Sequence, residues 1–395
     1  MSPKRLQDRT QNSLQQRLAK NCYWDDLEHI LWIDCRRILP ARGVVKVISW
    51  DNMMLDANPI PAYPPEFKIF TWSNYSQLAY WRKQIPKWVQ DSCALFPTHQ
   101  LTLLHYCGKY PQILELLDQA PLLAWRLISS GLQEPEVVAL LSGKRVEMAA
   151  QMGWPGKEET VKFLRNLRLR WVNQEIAEQV ELCLLDERRL QALQSLPRIN
   201  SMALSLAARF PELIGSRLHH ALAQLPCRPM QCQSMVALLE DAYRLAEAHA
   251  LPEQEIARIG HSRYLVEVTQ IYQAWLSTAI ESALQDEEQA MPVLSERLKA
   301  SAQPFVVLDV LEDWIQLSLW QQHAWFIDFP DQKNAADLKL VAWLDEGKVW
   351  GALLSTLGGE EGESSQIFRV RGEENSLPNA KPLSDLHLWQ ATGKL

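Results

Sequence analysis

The residues whose types and spacing could do chemistry lie near the C-terminal end. Gln322-His323 closes a run of helical periodicity, and Arg369-Val370-Arg371-Gly372-Glu373-Glu374-Asn375 leaves a run of strand-forming residues toward Leu377-Pro378. An imidazole titrates near neutrality and can act as a general base. A guanidinium clamps an anion or a developing negative charge. His323, Arg371 and Asn375 are therefore the candidate catalytic set, and the chemistry they would suit is that of a nuclease or other hydrolase. The same residue types also have structural uses. A glycine at 372 permits positive φ, Asn375 can cap the turn, and a histidine at a helix end can bond the last carbonyls.

The most basic segment is Lys157 to Trp171. There Lys162, Arg165 and Arg168 recur every three residues, while Val161, Phe163, Leu164 and Leu167 supply an apolar face. This spacing predicts one amphipathic helix over 157–171 with a cationic stripe, the kind of element that neutralises phosphates and releases counterions. Glu158 and Glu159 in its first turn compete for that stripe. The contact expected is weak, sequence-independent nucleic-acid binding through Lys162, Arg165 and Arg168, against a plain solvated helix face.

No metal site and no cofactor is expected. His219-His220 with Cys227 and Cys232 offers zinc-type ligands, but the Cys-x4-Cys spacing contains Pro229 and has no second pair downstream. His99 and His105 face an apolar run and read as core or boundary histidines. No Walker loop, dinucleotide fingerprint, nucleophile elbow or zinc-protease motif occurs. The seven cysteines are odd in number and scattered through apolar stretches, as expected of reduced, buried thiols in a cytoplasmic protein. Met1 to Lys20 contains no apolar signal region, and no stretch reaches the roughly 18 apolar residues that span a bilayer, so no membrane contact is expected.

The elements that must position these side chains follow from length and pattern. With 395 residues, 47% hydrophobic and 22% charged, the chain can build a substantial core in two or three domains. Only 15 Gly stand against 22 Pro and 16 Trp, which suits packed helices with proline-marked starts more than linkers. Net charge runs from +4 over residues 1–100 to −7 over 301–395, so the whole surface is unsuited to coating nucleic acid.

Residues 4–39 carry Leu and Ile at three- and four-residue steps and predict helices ending before Pro40. Val44–Trp50 and Phe67–Trp72 predict a strand pair across a Pro-rich connection. From Tyr75 to about Ala300 the pattern is helical, with apolar-Pro pairs at 96–97, 110–111, 120–121, 196–197, 210–211 and 225–226 that suggest short stacked helices. After Pro304 a helix over 305–325 precedes strands at 338–344, 349–356 and 366–371 and a closing helix at 382–389. The last two strands are joined by an acidic loop, 358–365. The fold expected is mainly α with a smaller α+β part: an N-terminal α/β segment (1–90), an irregular α-helical array (91–300), and a C-terminal α+β domain (301–395) built on a three-stranded antiparallel meander with flanking helices.

A helix ending in His323, two strands, a third strand running into Arg371-Gly372-x-x-Asn375, a nearby proline and a terminal Trp389 together resemble the C-terminal domain of the PcfJ-like family of conjugative plasmids and other mobile elements. Pro121-Leu122-Leu123-Ala124-Trp125, and Lys144-Arg145 ahead of Met148 and Gly153, are similar to that family's helical part, so the resemblance covers about residues 90–395. Relatives of this region place Cys after the histidine and Gln before the Arg-Gly-x-x-Asn turn, where this chain has Ala324 and Arg369. The resemblance implies a non-enzymatic accessory or scaffold protein of a plasmid or phage, linked to conjugation and DNA processing. Such a protein works by protein–protein interaction with a nucleoprotein or protein partner. The alternative is the hydrolase using His323 and Arg371.

Overall fold

The computed structural model describes residues 14–284, 294–301, 304–329, 338–357 and 364–391. It is mainly α-helical with two small antiparallel sheets, and it divides into two compact units, Ser2–Arg228 and Pro229–Leu395. The division at 228/229 cuts through the stretch expected as one array and coincides with neither of the expected boundaries.

After a short helix over 14–20 the first unit forms a three-stranded meander: β1 (Cys22–Asp25), β2 (Ile30–Asp34) and β3 (Val44–Ile48). Residues 14–20 are helical as expected and 4–13 lie outside the described residues, but from Cys22 on the strands overturn the helices expected up to Pro40. Cys22 and Trp24 point inward while Tyr23 points out, and Leu31 and Ile33 are buried with Trp32 between them less so, a period of two that a strand satisfies. The strand expected at Phe67–Trp72 is instead a 3-10 turn over Ile69–Thr71. Its backbone groups are met by side chains: Gln100 Oε1 accepts from Phe70 N–H at 3.1 Å, Gln15 Oε1 accepts from Lys68 N–H, and Arg82 donates to the carbonyls of Ile69 and Trp72. With those groups satisfied by side chains, no neighbouring strand is needed.

Helices α1 (Trp50–Leu55) through α13 (Arg217–Gln224) complete this unit. Pro111 and Pro121 start α5 (Pro111–Gln119) and α6 (Pro121–Ser129) at a position where the missing N–H costs nothing. Pro97 and Pro197 lie ahead of their helices, and Pro211 starts only a 3-10 turn. One continuous apolar cluster from Leu18 to Ala223 holds the unit together.

The second unit begins with α14 (Pro229–Ala248), α15 (Glu253–His261) and α16 (Leu265–Leu284). The helix expected over 305–325 is two elements. Phe305–Leu308 forms β4, paired antiparallel with the strand that follows in space, and α17 (Leu294–Ala300) precedes it while α18 (Leu311–Gln321) follows it. The meander therefore has four strands, β4-β5-β6-β7, with β5 Leu338–Asp345, β6 Lys348–Leu357 and β7 Ser364–Arg371. Glu346 and Gly347 both have positive φ in the β5–β6 turn, the conformation that a two-residue hairpin requires. Most of the expected acidic loop, residues 358–363, lies outside the described residues. Helix α19 (Ala380–Gln390) covers one face of the sheet with Leu386 and Trp389 against Phe305, Trp343 and Trp350.

Candidate functional site

Within the second unit the chain brings His323, Arg371 and Asn375 around one carboxylate. Helix α18 ends at Gln322 in the left-handed region, and the N–H groups of Gln322 and His323 both reach Ser318 O. Ser318 Oγ accepts from Trp325 N–H at 3.0 Å and holds the next turn. That turn drives His323 inward, fully buried, with its ring edge-on to Trp325 at 4.3 Å between centroids.

Arg371 ends β7 opposite Gly351, and the Glu373–Asn375 turn follows. Gly372 has φ −114, so the expected positive φ falls instead on Glu374 and Asn375. Glycine is needed at 372 for close approach, because a Cβ there would meet the Trp350 ring and Ser376 Oγ at 2.8 Å.

The group that gathers these side chains is Asp241 of α14. Its Oδ2 accepts from Arg371 Nη2 at 3.2 Å, from Arg371 Nε at 3.4 Å and from Asn375 Nδ2 at 3.2 Å. His323 Nδ1 lies 3.3 Å from the same oxygen but out of line for a hydrogen bond, and neither ring nitrogen has a hydrogen-bond partner among the described residues. Sequence reasoning missed Asp241. The available signal was a carboxylate on the side of α14 that buries Met235, Leu239, Ala242 and Leu245.

Burial opposes ionisation of Asp241, but His323 and the Arg371 and Arg244 guanidiniums outweigh it and hold its carboxyl well below the ordinary carboxylate range. Burial also pushes His323 down to about 4, against the pull of Asp241, so its imidazole is neutral at pH 7. The two positions that depart from the PcfJ-like pattern have structural partners. Arg369 Nη1 donates to Asp328 Oδ2 at 2.8 Å, and Arg244 pairs with the same carboxylate. Ala324 is fully buried, and its N–H donates to the Tyr272 hydroxyl at 3.0 Å. Chemically, the cluster joins α14 to the last strand and its turn. A general base needs a face open to substrate, and the imidazole of His323 has none.

In the first unit, the stripe lies partly on α9 (Glu158–Asn166), shorter than the helix expected to reach Trp171. The chain leaves the helix because Leu167 pairs with Ile199, with Arg168 N–H donating to Ile199 O and Ile199 N–H to Asn166 O, each at 2.9 Å. Val161, Phe163, Leu164 and Leu167 are buried as expected. Lys162 and Arg165 are exposed on the helix one turn apart. Arg168 is also exposed, beyond the helix end, where its Nη1 donates to the carbonyls of Arg165 at 2.6 Å and Leu167 at 2.9 Å. Ion pairs in this unit use other cations, such as Arg145 with Glu115 and Arg189 with Asp186. Among the described residues none involves Lys162, Arg165 or Arg168, so Glu158 and Glu159 do not neutralise the stripe.

His219 and His105 are held by structural contacts. His219 accepts from Gly215 N–H through Nδ1, and its Nε2 lies 3.1 Å from Ala203 O. His105 is buried between the Tyr63 hydroxyl, 2.9 Å from Nδ1, and Asp56. All seven cysteines are buried. Among the described residues no cluster of three or more His, Cys, Asp or Glu could hold a metal ion, and no helix is long and apolar enough to cross a membrane. Compared with known proteins, the chain matches no family model, no curated protein and no solved structure.

Proposed function

We propose that this chain is a non-enzymatic accessory or scaffold protein that assembles with a nucleoprotein partner, of the kind carried by plasmids and phages. The helical unit makes the contact and the C-terminal unit serves as a fixed block. The observation that carries the reading is the stripe of Lys162, Arg165 and Arg168, three exposed cations with no carboxylate partner among the described residues. Unpaired surface cations in line are what phosphate neutralisation requires, and each phosphate contact adds to the salt dependence of binding. The mobile-element setting rests on the resemblance carried by His323, Arg371 and Asn375. The hydrolase alternative would need His323 to meet a substrate, and its burial argues against that.

The test is anisotropy titration of a labelled DNA strand across a range of salt. Replacing Lys162, Arg165 and Arg168 together by Gln should lower the slope of log affinity against log salt by about two to three. Absence of binding by the parent, or an unchanged slope in the variant, overturns the reading.

A further inference from the structure

Next to the cationic stripe a cavity of about 310 Å3 opens between α3 (Lys87–Ala94), α5, α6 and the segment 167–172. Leu95, Leu122, Leu169 and Val172 give it apolar surface beside comparable polar surface, and Val172 N–H donates to Leu95 O at 2.8 Å between two of its lining residues. Two charged side chains line it, Asp118 and Arg168, and both are exposed. Arg168 belongs to the stripe as well, since its guanidinium folds back onto Arg165 O, so the line of cations runs into the mouth of the cavity. The volume lies at the lower end of the roughly 300–1,000 Å3 typical of small-ligand sites.

We infer that this cavity receives one unpaired nucleobase bearing an exocyclic amino group, from a single strand whose phosphates lie on Arg168, Arg165 and Lys162. The inference rests on the nucleic-acid reading above and specifies its ligand. An occupant must offer a flat apolar body to the walls, a hydrogen-bond donor to Asp118, and an anion within reach of Arg168. A nucleotide of a single strand meets all three at once. Asp118 makes no hydrogen bond or ion pair of its own among the described residues, and a carboxylate accepts from the amino group of cytosine but finds no amino group on thymine. An acidic peptide would match the cations but set its charge against Asp118. Bases in a duplex are stacked and paired, so a duplex presents only phosphates.

The experiment compares labelled oligo(dC), oligo(dT), a fully abasic strand of equal length, and a duplex, each titrated against the whole protein. Expected is binding of oligo(dC) about tenfold or more tighter than the abasic strand, as base contacts of this kind contribute, with oligo(dT) between them. Asp118→Ala should bring oligo(dC) to the level of oligo(dT). Ser92→Phe, filling the cavity from α3, should bring both toward the abasic strand. Equal affinity for oligo(dC) and the abasic strand overturns the base site while leaving the phosphate stripe standing. Discrimination that survives both substitutions also overturns it, because the bases are then read elsewhere. Failure of every strand to bind overturns the nucleic-acid reading itself. If Ser92→Phe does not fold, Asp118→Ala at an exposed position decides the matter alone.

Discussion

Asp241 and Arg371 are 130 residues apart in sequence, yet two guanidinium nitrogens of Arg371 lie 3.2 and 3.4 Å from one oxygen of Asp241, both side chains almost completely buried. A buried pair of this kind adds little over a well-packed apolar pair but is costly to break from one side, since the remaining charge has no water to turn to. It therefore fixes which turn of α14 faces the end of β7 more than it deepens the stability of either.

Asp241→Asn leaves the buried Arg371 without a compensating charge, while Arg244 keeps Asp328, and should destabilise the protein by about 3 kcal/mol. Differential scanning calorimetry should show the affected transition about 10 °C lower, given a few degrees per kcal/mol for a unit of this size. Replacing Asp241 by Leu and Arg371 by Met together should recover part of that loss. A single variant melting with the parent would show that the pair is absent in solution.

His323 gives the same unit an acid sensitivity. Its pKa is pushed down to about 4 in the folded protein and returns to about 6.5 on unfolding, so between those values the unfolded chain binds the proton and the folded one does not. The stability it contributes is complete above pH 6.5 and is lost as pH falls toward 4, by about 3 kcal/mol in all. Asp241, held lower still, adds stability that is complete above the ordinary carboxylate range and is lost only as pH falls below it. Urea unfolding at pH 7 and pH 5 should show His323→Gln losing less stability than the parent over that step. Equal losses would place a water-accessible imidazole at this position.

How far these features could be read from the chain depended on whether a residue's partners were local. The strands at 338–344 and 349–356 were legible because Asp345-Glu346-Gly347-Lys348 supplies its own turn, and α5 and α6 because proline marks their first residue. His323, Arg371 and Asn375 were expected together and are found together. Asp241, which joins them, left only a faint mark, a carboxylate on the apolar side of its helix, and its partners lie more than 80 residues away in sequence. Phe305–Leu308 fits helix and strand alike, because four apolar residues satisfy either period, and only pairing with β5 decides. Phe67–Trp72 failed in the opposite sense: its composition is that of a strand, and distant side chains from Gln15, Arg82 and Gln100 took the place of a strand partner.

Trp125, Leu127 and Phe210 each belong to or follow a proline-marked helix with apolar neighbours at helical spacing, which points all three into the helical core. Leu127 and Phe210 are buried, whereas Trp125 is half-buried at its edge, stacked on Phe96 with centroids 5.3 Å apart and donating from Nε1 to Thr98 O at 3.0 Å. Trp125→Ala removes that stack, that hydrogen bond and part of a large apolar surface. The cost should be about 2–3 kcal/mol, below the 3–5 of a fully buried aromatic. Trp125→Phe keeps the stack and should cost about half as much. Thermal melts of the two variants check both figures, and an alanine variant that melts like the parent would mean the stack contributes nothing.

Gly351 should tolerate no side chain, and the reason ties the sheet to His323. A Cβ at this position would stand 2.8 Å from Gln321 Oε1 and 3.0 Å from both Leu317 Cδ2 and Trp325 Cζ2. None of the three can give way freely. Gln321 is fully buried, accepts from Trp325 Nε1 at 2.8 Å and donates to Val349 O at 3.0 Å, and Trp325 is fully buried against the His323 ring. Relief by moving Gln321 breaks two buried hydrogen bonds, and relief by moving the indole shifts the imidazole. Gly351→Ala should therefore cost about 2–3 kcal/mol, the usual penalty of overpacking a closed core plus a weakened hydrogen bond. Gly347→Asn, in the exposed hairpin turn where positive φ is the only demand and asparagine meets it, should cost well under 1 kcal/mol. Chemical denaturation of both variants gives the comparison. A Gly351 variant as stable as its Gly347 counterpart would show that α18 packs less closely on β6 than the structure places it.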